Sequence, residues 1–157
     1  MDIATMLDPR NIRCEVSAGS KKHALDLLSE MLAGAAHGPS AGEVLEGLAS
    51  RERLGSTGLG RSVAMPHARL PGINASAAAF LKLSEPVDFG SPDGRPVDLL
   101  FGLLVPKDST STDVKEIREL IKRLRDPELQ EKLREADDPN RLYTLLIDSL
   151  AFVDSPH

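Results

Sequence analysis

Between Val97 and Val105 the chain reads Val-Asp-Leu-Leu-Phe-Gly-Leu-Leu-Val and then closes on Pro106. A run this short and this apolar reads as a strand buried on both faces. Amphipathic helices precede and follow it. Ala24, Leu27, Leu28, Met31, Leu32 and Ala35 recur at spacings of three and four, which predicts a helix from Ser20, as N-cap, to about Ala36. Gly38-Pro39 should stop it, and Ser40 with Glu43 makes a capping box for a second helix that ends before Gly55.

Two more β-type runs, Ser62–Met65 and Ala77–Leu83, come before the apolar strand, with a turn signal at Ser91-Pro92-Asp93-Gly94. After the loop 107–112, Val114, Ile117, Leu120, Ile121 and Leu124 line one helical face, and Asp113 with Glu116 could cap it. Asp126-Pro127 and Asp138-Pro139 each place an N-cap before a proline at the first helical position. Helices, strands and helices again around one apolar strand make an α/β domain of helix-on-sheet layers. The sheet is expected to be mixed, and its strand order does not follow from the sequence.

Length and charge narrow the function. A chain of 157 residues fits one domain with a real core. No apolar run approaches the roughly 18–20 residues that span a bilayer. The opening MDIATMLDPR lacks the apolar core of a signal peptide, so a cytoplasmic location is expected without membrane insertion. The single cysteine, Cys14, cannot form an intramolecular disulfide. A net charge of −5 without clustered Lys and Arg argues against nucleic acid. Partners should be proteins or small anions. Four scattered histidines show no ligand spacing, so no metal site is expected.

The chemistry concentrates in Arg51-Glu52-Arg53-Leu54-Gly55-Ser56-Thr57-Gly58-Leu59-Gly60, followed by Val63-Ala64-Met65-Pro66-His67. Glycines with Ser and Thr could fold into a nest of N–H groups facing an anion, with hydroxyls from Ser56 and Thr57 and a guanidinium from Arg51. The same run also suits a plain helix-to-strand turn. Pro66 favours an extended Met65, so a strand should lead straight to His67. A neutral imidazole is a competent nucleophile near pH 7, although a histidine at a strand end can equally be structural.

The stretch R-E-x-L-G-S-T-G-x-G with its downstream P-H resembles the signature of the enzyme IIA family of the bacterial phosphotransferase system, in its fructose/mannitol and nitrogen-related branch. Gly19-Ser20-Lys21-Lys22, Glu85-Pro86-Val87-Asp88-Phe89 and Pro96-Val97-Asp98-Leu99-Leu100-Phe101 support it. The likeness covers roughly residues 2–150, so the domain is expected over 1–150 with a tail at 151–157.

The resemblance implies a single α/β domain with a mixed central sheet flanked by helices, and no dissociable cofactor. It implies that His67 accepts a phosphoryl group from the phosphohistidine of an HPr-type phosphocarrier. Arg51 matches the family's arginine near the active histidine, and Ser56 and Thr57 match its polar loop, so Gly55, Ser56, Thr57 and Gly58 become the expected phosphate-binding positions. The nitrogen-related branch generally acts by binding regulatory targets, such as transporters or kinases, according to phosphorylation state.

One position departs from the pattern. The family's second histidine, seven residues past the proline that ends the apolar strand, is replaced here by Asp113. That aspartate can cap a helix. Beside His67 it could also fix the ring's tautomer while opposing a phosphoryl group, at about 4 kcal/mol for unit charges about 4 Å apart at an effective dielectric near 20. A binding-only regulator with impaired phosphorylation is therefore the alternative. The charge-rich segment 113–141 reads either as solvated helix faces or as an altered partner surface.

Overall fold

The computed structural model describes residues 3–108 and 111–151, with the side chains of residues 111–113 outside the description. The expected N-cap at Ser20 is present: its side chain accepts the His23 N–H at 3.1 Å and opens α2, Lys21–Ala36. His37, rather than the expected Gly38, takes the left-handed conformation that ends this helix, at φ 55°. Ser40 and Glu43 form the full capping box of α3, Ala41–Arg53. A short helix, α1 (Ile3–Met6), lies ahead of both.

The strands are β1 (Ile12–Val16), β2 (Gly58–Gly60), β3 (Val63–Ala64), β4 (His67–Leu70), β5 (Ala77–Val87) and β6 (Val97–Pro106). They form one sheet in the order β1-β5-β6-β3-β2, with β4 also pairing β6. β1 on β5, β3 on β6 and β4 on β6 are parallel; β5 on β6 and β2 on β3 are antiparallel. The sheet is therefore mixed, with the apolar strand β6 near its centre, and its buried run matches the sequence reading.

Alternation along the strands divides the core into two layers. Leu25, Leu28, Leu32, Val44 and Leu48 of α2 and α3 pack on Ala64, Ala68, Leu81, Leu100 and Leu104. On the other face Leu120, Leu129, Leu133, Leu142 and Leu146 pack on Val63, Met65, Phe80, Phe101 and Leu103. These belong to α4 (Ser111–Leu124), α5 (Pro127–Glu135) and α6 (Pro139–Leu150). α2 sits so close to the sheet that a Cβ at Gly102 would fall 2.8 Å from the Leu28 side chain. Asp126 and Asp138 cap α5 and α6 as their Asp-Pro pairs predict, accepting the Glu128 and Asn140 N–H groups at 3.0 Å each.

Several local expectations are corrected. β1 is not among the expected strands, although Ile12-Arg13-Cys14-Glu15-Val16 alternates apolar and polar residues; it is only five residues long and carries a bulge where Glu15 takes φ 56°. The Ser62–Met65 run is shorter than expected, because Arg61 and Ser62 form a left-handed turn at φ 55° and 68°. His67 starts a strand instead of ending one. β3 and β4 keep one register on β6, Val63 opposite Leu99 and His67 opposite Leu103, and the interruption falls at Met65-Pro66, where proline supplies no N–H. α4 begins at Ser111, which makes Asp113 its third residue and not its cap. The side chain of Asp113 and the tail 152–157, including His157, lie outside the described residues.

Candidate active site around His67

His67 and Arg69 share the face of the sheet that Val63 and Met65 occupy, while Ala68 and Leu70 pack beneath α2 and α3. The imidazole is half-buried at the start of β4. Its Nδ1 lies 2.9 Å from the Met65 carbonyl. A carbonyl only accepts, so Nδ1 carries the hydrogen and Nε2 keeps its lone pair. Among the described residues Nε2 has no hydrogen-bond partner. Burial lowers the pKa of His67 below its ordinary value, the Met65 carbonyl opposes that shift, and the positive charge of Arg51 adds to it. The ring is therefore neutral near pH 7.

Arg51 sits in the last turn of α3, where Nη1 donates to the Gly55 carbonyl at 2.9 Å. Its neighbour on the rim, Leu54, is 84% exposed, the one large apolar side chain so exposed among the described residues. The loop that follows turns its donors inward. Ser56 Oγ donates to the Phe89 carbonyl at 2.8 Å and accepts the Gly58 N–H at 3.0 Å. The Thr57 N–H and hydroxyl both donate to the Glu52 carboxylate, the former at 3.1 Å. Gly55 N–H donates to the Glu52 carbonyl at 3.1 Å. Among the loop amides from Gly55 to Gly58, Ser56's alone has no partner among the described residues. The open nest expected from the glycine run is thus largely filled by the protein itself. Gly58 is required for contact: a Cβ there would fall 2.1 Å from Ser91 Oγ.

Sequence reasoning assigned no role to the residue that organises this loop. Glu52 has a side chain only 6% exposed and pairs with Lys21 Nζ at 2.9 Å. The same ammonium lies 4.5 Å above the Phe89 ring and 3.3 Å from the Phe89 carbonyl. Three of the stretches that carried the family resemblance, around Lys21, Glu52 and Phe89, therefore meet in one buried network. The signal was present, but residues 21, 52 and 89 are joined only by the fold. The other described histidines have separate tasks: His23 Nδ1 accepts from Gly19 N–H at 3.2 Å, and His37 ends α2. Among the described residues, no helix is long and apolar enough to cross a membrane.

Comparison with known proteins bears on the fold and the family. Residues 5–149 match the family described as "Phosphoenolpyruvate-dependent sugar phosphotransferase system, EIIA 2". The chain is 38% identical over 143 residues to the nitrogen regulatory protein of Pseudomonas aeruginosa, covering 91% of this chain and 93% of that protein. It is 36% identical over 150 residues to the nitrogen regulatory protein of Escherichia coli, covering 95% and 91%. The crystal structure of nitrogen regulatory protein IIA-Ntr from Neisseria meningitidis superposes with a TM-score of 0.86 at 34% identity, covering 92% of this chain and 98% of that one. The IIA mannitol structure from Escherichia coli, at 24% identity and a TM-score of 0.73 over 89% and 98% of the two chains, shares the fold. With its motif, its mixed sheet and its nitrogen-regulatory relatives in agreement, the chain belongs to the EIIA type 2 family of the phosphotransferase system, as a regulatory phosphotransfer component.

Proposed function

We propose that Nε2 of His67 accepts a phosphoryl group from the phosphohistidine of an HPr-type phosphocarrier, and that target proteins such as transporters or kinases bind the chain according to its phosphorylation state. The observation that carries this reading is the Nδ1 contact to the Met65 carbonyl, which leaves an unprotonated Nε2 on a half-exposed ring near Arg51. In the transfer, the Nε2 lone pair attacks phosphorus in line with the carrier's P–N bond. As the P–Nε2 bond forms, the old bond breaks and its electron pair stays on the carrier's ring nitrogen. Nδ1 keeps its proton, so the product ring becomes positive and its hydrogen bond to Met65 becomes charge-assisted. Arg51, whose charge already acts on the ring, is the donor assigned to the phosphoryl oxygens, with the unpartnered Ser56 amide as a second, while Gly55, Thr57 and Gly58 shape the loop. Exposed Leu54 gives the docking carrier an apolar contact on the rim.

Incubation with a phosphorylated HPr-type carrier, followed by intact mass spectrometry, tests the assignment. Wild type should gain one phosphoryl mass and His67→Ala none. Asp113, standing where the family has histidine, favours the second reading of a binding-only regulator. That reading holds if wild type stays unmodified under saturating donor while Asp113→His takes up the group.

A further inference from the structure

We propose that Glu52 is a positioning residue for His67, acting through Thr57 and Met65 to hold the imidazole with its hydrogen on Nδ1 and Nε2 bare. The inference rests on the reading of His67 as the phosphoryl acceptor, and it names the group that prepares this ring for the task.

A buried carboxylate is costly unless donors surround it. Around Glu52 they converge: Lys21 Nζ at 2.9 Å and the Thr57 N–H at 3.1 Å on Oε1, and the Thr57 hydroxyl on Oε2. Both donors of Thr57 are thereby fixed by one side chain, which anchors this residue ahead of the next peptide plane, whose Gly58 N–H is held by Ser56 Oγ at 3.0 Å. The Thr57 carbonyl then accepts the Met65 N–H at 3.0 Å. The Met65 carbonyl accepts His67 Nδ1–H at 2.9 Å. On the far side Pro66 is held as well, its carbonyl accepting the Leu103 N–H at 3.0 Å. The Met65 carbonyl is thus fixed from both flanks, through Thr57 and through β6, and its direction decides which ring nitrogen bears hydrogen.

The chemistry requires a carboxylate at position 52. Two acceptor oxygens are needed to take an N–H and an O–H from the same residue while a cation shares one of them. An amide offers one acceptor oxygen and an NH2 group with two donor hydrogens, so it would force the Thr57 hydroxyl to turn and leave Lys21 without its counter-ion. Neither Glu52 nor Thr57 has to touch the phosphoryl group for this to operate.

Nitrogen-15 NMR of the His67 ring reads the tautomer directly, and backbone spectra report whether each variant stays folded. In wild type the ring should be almost wholly in the Nδ1–H form. Glu52→Gln should lower the ratio of Nδ1–H to Nε2–H by about five- to tenfold, the loss of roughly one hydrogen bond. The rate of phosphoryl uptake at saturating carrier should fall by a similar factor, with half-saturation unchanged. Thr57→Val should shift the tautomer the same way, and Thr57→Ser, which keeps the hydroxyl, should restore wild-type behaviour. An unaltered tautomer ratio in folded Glu52→Gln overturns the proposal. If that variant fails to fold, an unaltered ratio in Thr57→Val overturns it instead. A shifted tautomer in the variants, with no phosphoryl uptake by wild type, supports the positioning role and overturns the acceptor reading.

Discussion

Two buried charges in this molecule have opposite duties. Glu52, under the glycine loop, receives donors from a cation, an amide and a hydroxyl, and the two that come from Thr57 lead on toward His67. Lys82, on β5 and 8% exposed at its side chain, gives its ammonium hydrogens to the Arg134 and Ala136 carbonyls at 2.6 and 2.7 Å, with exposed Glu15 at 3.8 Å. Those carbonyls close the C-terminal end of α5, where a cation also suits the helix dipole. One charge organises the glycine loop and the other fastens a helix to the sheet. Burial of an ionised group therefore does not by itself mark an active site; the destination of its hydrogen bonds does.

The comparison can be broken at either end. The largest effect should come from Lys82→Met, which keeps the apolar stem but leaves two carbonyls without their donor. A loss of about 3 kcal/mol in urea unfolding is expected, from charged hydrogen bonds removed in a buried setting. Phosphoryl uptake per folded molecule should be unchanged, and a variant as stable as wild type would refute the fastening role. Lys21→Met should have a smaller effect, about 1 kcal/mol, because its ammonium is partly exposed and Glu52 keeps both Thr57 donors. Here the deficit should show in slower phosphoryl uptake as well as in the unfolding midpoint. Equal effects on uptake from the two lysines would erase the distinction.

The smallest signal is one of pH. Burial holds the folded pKa of His67 below its unfolded value, so on acidification the unfolded chain takes up the proton first. The stability contributed by the neutral ring is complete above the unfolded pKa of about 6.5 and drains away as pH falls through the lower folded value. Unfolding curves of wild type and His67→Gln should thus differ by a constant amount above that pH and converge or cross below it. A difference independent of pH would mean that the ring is not held neutral by burial.

Much of the scaffold was legible because local chemistry declared it. Ser20, the Ser40/Glu43 box and the Asp-Pro pairs at 126 and 138 mark helix starts through contacts within a few residues. β6 stands out by composition alone. Less visible were β2, built from Gly-Leu-Gly, and β4, which resumes after a proline in the register that β3 began. His67 and Arg51 could be named from the motif. Glu52 could not be given its role, since its partners lie at positions 21 and 57 and its effect reaches His67 through two carbonyls. The inward turn of the Ser56 and Thr57 hydroxyls was hidden for the same reason: a loop's sequence shows which donors it has, while its neighbours decide where they point.

The uninterrupted register across Met65-Pro66 bears on how a modification here could be read. His67 is seated between segments that pair with the same central strand, so the backbone beneath it has little room to rearrange. A phosphoryl group on this ring would add roughly one and a half to two negative charges to an almost stationary frame. A partner would then tell the two forms apart by local electric potential beside Arg51 and Leu54, as a lock reads a change in magnetisation and not in shape.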